Sequence, residues 1–194
     1  MSFVDHYFDE VSFTTNNVSK TDVETIAQYL KQVRENDGRV FILGVGGSAA
    51  NASHMVNDLR KLCDVEAYSP VDNVSELTAR VNDEGWEYFF ERWLSTSKLN
   101  EFDCVFVLSV GGGSQERNIS VNLIKAIDLA HDVGAAVISI VGKPDGYAAM
   151  HSDACCVIPV SDQTLLTPIS EAFQAVVWHC IVSHPDLQIK KTTW

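Results

Sequence analysis

Hydrophobic residues change their spacing repeatedly along this chain. Over residues 40–43, 104–108, 136–141 and 155–159 they run without interruption, as in strands buried on both faces. Between those runs, over residues 49–62, 84–94, 120–133 and 167–183, they recur at helical spacing. Upstream, Val23, Ile26, Leu30 and Val33 form one apolar stripe that stops at Gly38. Ser19 reads as its N-cap, with Asp22 three residues on as a capping-box variant. Phe3, Val4, Tyr7, Phe8, Val11 and Phe13 predict a further amphipathic helix, packed on its own domain or on a neighbouring subunit. Strands alternating with helices predict an α/β fold, a doubly wound parallel sheet covered on both sides. Ligands of such sheets gather outside the carboxyl ends of the strands.

The length of 194 residues suits one domain with a full core, without an internal linker or repeat. The apolar runs are too short to span a bilayer and no leader-like segment opens the chain, so a cytoplasmic protein is expected. Five cysteines without a C-x-x-C pair, most inside apolar runs, read as buried reduced thiols. A net charge of −12 argues against nucleic acid or an anionic membrane as partner. With only 14 Lys and Arg, an anionic ligand is expected to be one phosphate on a small molecule, held mainly by backbone N–H groups and hydroxyls.

Two strand ends carry the candidate chemistry. The first runs through Gly44, Val45, Gly46, Gly47 and Ser48 into a helix. Unpartnered N–H groups and the helix dipole favour an anion there, and glycines let the ligand approach. No Gly-Lys-Ser/Thr closes the turn and the third glycine of a dinucleotide fingerprint is missing, so neither of those motifs is present. His54 and Asp58 follow at i and i+4 on one helix face. The second strand end, Ser109-Val110-Gly111-Gly112-Gly113-Ser114, leads through a long loop to Ser120, and Ser109 and Ser120 are the hydroxyls expected on a phosphate. Ser114 competes with Ser120. Asn82-Asp83 reads as an N-cap for the next helix, and Lys143-Pro144-Asp145-Gly146 as a turn. Thr167-Pro168 opens the last helix, whose buried face is read as Ile169, Phe173, Val176, Val177, Cys180 and Ile181. That helix also carries Glu171 and His179, so two histidines and two carboxylates on two helices form a possible metal set.

Gly46-Gly47-Ser48, with His54 six residues after the serine and a carboxylate four beyond, resembles the phosphoheptose isomerases of the SIS, or sugar-isomerase, fold. The resemblance continues through Asn82-Asp83, Ser109 to Ser120, and Glu171 to His179, over nearly the whole chain. It implies a three-layer fold with a five-stranded parallel sheet, and a homotetramer with sites between subunits to which residues 1–37 contribute contacts. It implies isomerisation of sedoheptulose 7-phosphate to a heptose 7-phosphate. Substrate contacts would fall on Val45-Gly46-Gly47, Asn82-Asp83, Ser109-Val110-Gly111 and Ser120, and zinc ligands on His54, Asp58, Glu171 and His179. This chain departs from the family pattern at Asp58 (typically Glu), Glu171 (typically Gln), Val45 (typically Asn) and the lengthened Ser109–Ser120 loop. Aldose–ketose exchange needs a base, an acid and oxyanion stabilisation, for which Asp58 as base and His179 as proton shuttle are the candidates. A phosphosugar-binding module without catalysis, and a structural subunit with empty loops, are the alternatives.

Overall fold

A computed structural model describes residues 1–192. Two helices, α1 (Phe3–Asn17) and α2 (Lys20–Glu35), precede a regular alternation. It runs β1 (Arg39–Gly44), α3 (Gly47–Cys63), β2 (Glu66–Tyr68), α4 (Val74–Glu84), α5 (Phe89–Thr96), β3 (Cys104–Ser109), α6 (Val121–Val133) and β4 (Ala136–Val141). The short α7 (Tyr147–Met150), β5 (Ala154–Val157) and α8 (Leu166–Val182) complete it. All five strands are parallel, in the order β2-β1-β3-β4-β5. Strand order reverses between β1 and β3, so the connections leaving those two strands diverge and open a crevice between them.

Each face of the sheet has its own apolar layer. Ile26, Leu30, Met55, Leu59, Phe173 and Trp178 of α2, α3 and α8 cover one side. Phe89, Phe90 and Leu94 of α5, with Leu123, Ile127 and Ala130 of α6, cover the other. Every residue of β3 is buried, as a central strand lying between two layers requires. Near the amino ends of the strands, the Asp103 carboxylate (2% exposed) accepts from the Arg39 backbone N–H and guanidinium and from Asn100.

At the other end of β5, α1 is anchored by Glu10, which is 3% exposed and accepts from the Ser161 N–H and hydroxyl and the Asp162 N–H. Burial works to raise the pKa of this carboxyl, and the hydrogen bonds from Ser161 and Asp162 outweigh it, so the group titrates below its ordinary value. Phe3, Val4 and Phe8 of the same helix remain exposed.

Several local expectations change. Ser19 does cap α2, accepting from the Asp22 N–H, but the full reciprocal capping box belongs to Ser2 and Asp5 at the start of α1. The edge strand β2, three residues long and buried only at Ala67, was not anticipated by the hydrophobic pattern. The expected helix over 84–94 begins instead with a 3-10 turn, Trp86–Tyr88, before α5. Asn82 and Asp83 sit in the last turn of α4 and cap nothing; Asn73 caps that helix, and Gly85 (φ 91°) ends it. Thr167 does not cap α8: a 3-10 turn, Gln163–Leu165, precedes the helix and Asp162 accepts from the Thr164 N–H. Val176 and Cys180 face outward, contrary to the expected buried stripe.

Segment Gln163–Val182 is long and apolar enough to cross a membrane by composition, which the apolar runs alone did not suggest. Its Ile169, Phe173, Val177, Trp178 and Ile181 side chains form part of the core. Of the cysteines, Cys63, Cys104 and Cys156 are buried. Burial pushes Cys63 up to about 11 and Cys156 to about 12, so both remain thiols at neutral pH.

Candidate active site between α3 and α8

The chain turns sharply out of β1. A Cβ on Gly44 would stand 2.4 Å from the Ser48 carbonyl oxygen, and Gly46 has φ 64°, so both positions need glycine. Gly46 starts α3 with no side-chain cap. Ser48 is only 2% exposed, enclosed beneath the turn rather than presented to a ligand. The Glu171 carboxylate lies against Gly47, 2.5 Å from where a Cβ would stand. The expected anion cradle therefore already faces a carboxylate of the same chain. That charge opposes a phosphate at this helix end.

Helices α3 and α8 run side by side in the same direction. Their register is visible in successive contacts: Glu171 on Gly47, the Asn51 amide donating to the Glu171 carbonyl and to Gln174 Oε1, and Cys63 Sγ donating to the Val182 carbonyl. This register brings His54, Asp58 and His179 together. One ligand atom from each lies within 4.8 Å of the others. Both histidine Nε2 atoms stand 3.9 Å from Asp58 Oδ2. The Asp58 side chain is 14% exposed, and the histidine side chains are about half exposed at 58% and 49%.

Neighbouring groups fix the three side chains. His179 Nδ1 lies 2.7 Å from the Ala175 carbonyl, to which it donates, leaving its Nε2 lone pair directed at the cluster. Trp178 stacks on His179 at 3.6 Å between ring centroids and meets His54 edge-on at 4.7 Å. The Asn57 amide donates to the other oxygen of Asp58. A tetrahedral ion with bonds of about 2.0–2.1 Å sets its ligand atoms about 3.3 Å apart, so the two Nε2–Oδ2 separations would have to shorten by about 0.6 Å and the widest separation in the cluster by up to about 1.5 Å. Two imidazoles and a carboxylate are a donor set suited to a divalent ion such as zinc. The fourth expected ligand, Glu171, is absent from the cluster. It stands eight residues before His179 on one helix, roughly 12 Å along the axis.

The second strand end divides the expected phosphate hydroxyls. Ser109 Oγ accepts from the Gly112 N–H and shapes the loop. Ser120 (φ 49°) leads into α6 and lines a cavity of about 250 Å³ with Trp86, Asn118 and Asn122. Ser114 and Gly111 line a different cavity, beside Arg117 and Lys143. Asn82 and Asp83 lie on α4 on the opposite side of the sheet from α3 and α8, with the Asn82 amide donating to Asp83.

Sequence reasoning missed Trp178, Asn51, Arg117 and the charge of Lys143. For Trp178 the available signal was an aromatic adjoining a candidate ligand; for Arg117 and Lys143 it was the scarcity of cations in so acidic a chain.

Residues 6–142 match the family model described as "SIS domain". A phosphoheptose isomerase of Helicobacter pylori (strain P12) is 29% identical over 177 residues, covering 85% of this chain and 88% of that one. The lincomycin biosynthesis protein LmbN of Streptomyces lincolnensis is 34% identical over 170 residues, 81% of this chain, which spans 60% of the length of that relative. The structure of phosphoheptose isomerase GmhA from Neisseria gonorrhoeae superposes with a TM-score of 0.79, covering 92% of this chain and 95% of that one at 23% identity. The five-stranded parallel sheet between helices is the same architecture. With the family model covering most of its length, this chain belongs to the SIS-domain family.

Proposed function

We propose that this protein is an aldose–ketose isomerase of sugar phosphates, and that its substrate pair is sedoheptulose 7-phosphate and a heptose 7-phosphate. The observation that carries this reading is the convergence of His54, Asp58 and His179 from two adjacent helices. Phosphoheptose isomerases among its relatives supply the substrate class. A structural subunit has no use for this cluster, and a binding module does not require it.

The reaction moves one proton between adjacent carbons through an enediol, with one carbonyl lost and its neighbour gained. Asp58 is the base assigned to take the proton, because its carboxylate is the acceptor-only group of the cluster and is largely withdrawn from water. His179 is the assigned shuttle between the two oxygens: its ring is oriented by the Ala175 carbonyl and the Trp178 face, and its Nε2 faces the cluster. A divalent ion held by His54, Asp58 and His179, zinc being the expected one, would occupy the His179 Nε2 and would supply Lewis-acid polarisation of the carbonyl in place of that shuttle. Glu171 is left to contact substrate from the start of α3 rather than to bind the ion. The exposed aromatic face of α1 and the half-exposed histidines fit a homotetramer whose sites lie near subunit contacts.

Direct assay with sedoheptulose 7-phosphate tests the proposal, with appearance of the aldose as the readout. Asp58→Asn is expected to abolish turnover while sparing phosphosugar binding. Unchanged turnover would end the base assignment.

A further inference from the structure

The connection from β3 to α6 is long, and its extra residues are ordered. Ser114 and Ile119 exchange backbone hydrogen bonds at 2.9 and 3.0 Å, and Ser114 Oγ accepts from the Arg117 N–H, so the segment folds back as a small hairpin. Opposite it stands the turn from Lys143 to Gly146. The two are clamped together: the Tyr147 N–H donates to the Gly113 carbonyl, the Ala148 N–H to Gly112, and the Gly142 N–H to Val110. A Cβ on Gly146 would stand 2.1 Å from the Gly111 carbonyl oxygen, so the turn approaches as closely as a backbone can.

The hairpin and the turn enclose a cavity of about 180 Å³, lined by Ser114, Glu116, Arg117, Lys143 and Asp145 together with loop glycines. In a chain with 26 acidic residues against 14 Lys and Arg, two cations converge here. Among the described residues neither makes an ion pair, although two carboxylates share the wall. The cavity thus offers charged donors and charged acceptors together. A polyhydroxylated anion satisfies both: its acidic group faces the cations and its hydroxyls donate to the carboxylates. The start of α3, the competing place for a phosphate, is faced by Glu171.

We propose that this cavity receives the phosphate end of a sugar phosphate, with Arg117 and Lys143 pairing with the phosphate and Glu116 and Asp145 accepting from the adjoining hydroxyls. Naming the ligand a sugar phosphate rests on the isomerase reading above; the anion subsite itself does not. The hairpin makes this grip a charged one, in contrast to a grip by serine hydroxyls alone.

The test is calorimetric titration of the whole protein with inorganic phosphate at low ionic strength. Arg117→Gln and Lys143→Gln are each expected to weaken binding about tenfold. Lys61→Gln, an equal charge change on the far end of α3, should leave it within about twofold. No saturable binding by the unaltered chain, or equal loss in all three variants, overturns the subsite. Kinetics separate the two proposals. If the sugar phosphate is isomerised with KM unchanged in Arg117→Gln and Lys143→Gln, this subsite fails and the isomerase stands. If phosphate binding is lost as expected but no sugar phosphate turns over, the subsite stands and the isomerase fails.

Discussion

Around β1, β3 and β4 the two ends of the sheet use charged residues in opposite ways. At the amino end, Asp103 is saturated: the Arg39 backbone and guanidinium and the Asn100 backbone and amide all donate to it. At the carboxyl end, among the described residues, the Glu171 carboxylate accepts no hydrogen bond, only its backbone carbonyl doing so, and Arg117 and Lys143 form no ion pair. Three buried polar side chains of α8, Ser170, Gln174 and Trp178, also keep an unpaired atom. Satisfied charge ties the strand ends together, whereas unsatisfied charge is left available to a ligand. The stabilising and the functional ends of this fold are therefore separable by mutation.

The sharpest break should come at the cluster between α3 and α8. Asp58→Asn is expected to lower kcat by roughly 10³-fold, within the range for a lost general base. Its melting temperature should be nearly unchanged, since only Asn57 donates to that carboxylate. The mirror experiment is Asp103→Ala. Removing one partner of a buried pair costs about 3–5 kcal/mol, so denaturant unfolding should detect a large loss of stability. Residual folded protein should keep its KM.

Smaller effects sharpen the contrast. Glu10→Gln should cost about 1–2 kcal/mol at neutral pH by weakening charged hydrogen bonds to Ser161 and Asp162. The sign with pH follows from the lowered folded pKa of Glu10. Its stabilisation is full above the unfolded carboxyl value of about 4.3 and is lost as pH falls through the lower folded value, so melting curves of the two proteins should converge in acid. Glu171→Gln should tighten phosphosugar binding only a few-fold, by removing like charge near α3. A large loss of bound metal in that variant would return Glu171 to the ligand set, and elemental analysis reads it directly.

Much of the architecture was legible because buried parallel strands and amphipathic helices have distinct periods. Strand β2 escaped because three residues with one buried side chain carry almost no pattern. Asn82-Asp83 resembled a cap because Asx residues favour both helix starts and the turns after helices; Gly85 one residue beyond Glu84 was the better signal for an end. The candidate metal cluster was half legible. His54 and Asp58 share a face by their spacing alone, but joining them to His179 required the α3–α8 register, set by contacts more than 100 residues apart in sequence. The cation-lined cavity could not be seen in sequence, because it depends on the hairpin folding toward the turn at Lys143.

The most direct test of the account is proton exchange at the sugar. The protein, supplied with zinc, is incubated with sedoheptulose 7-phosphate in deuterated water and followed by NMR. The account predicts an aldose heptose 7-phosphate carrying solvent deuterium at the carbon that gained the proton, and no incorporation with Asp58→Asn. Saturable binding of the sugar phosphate by the unaltered protein, with neither aldose nor deuterium appearing, would contradict it.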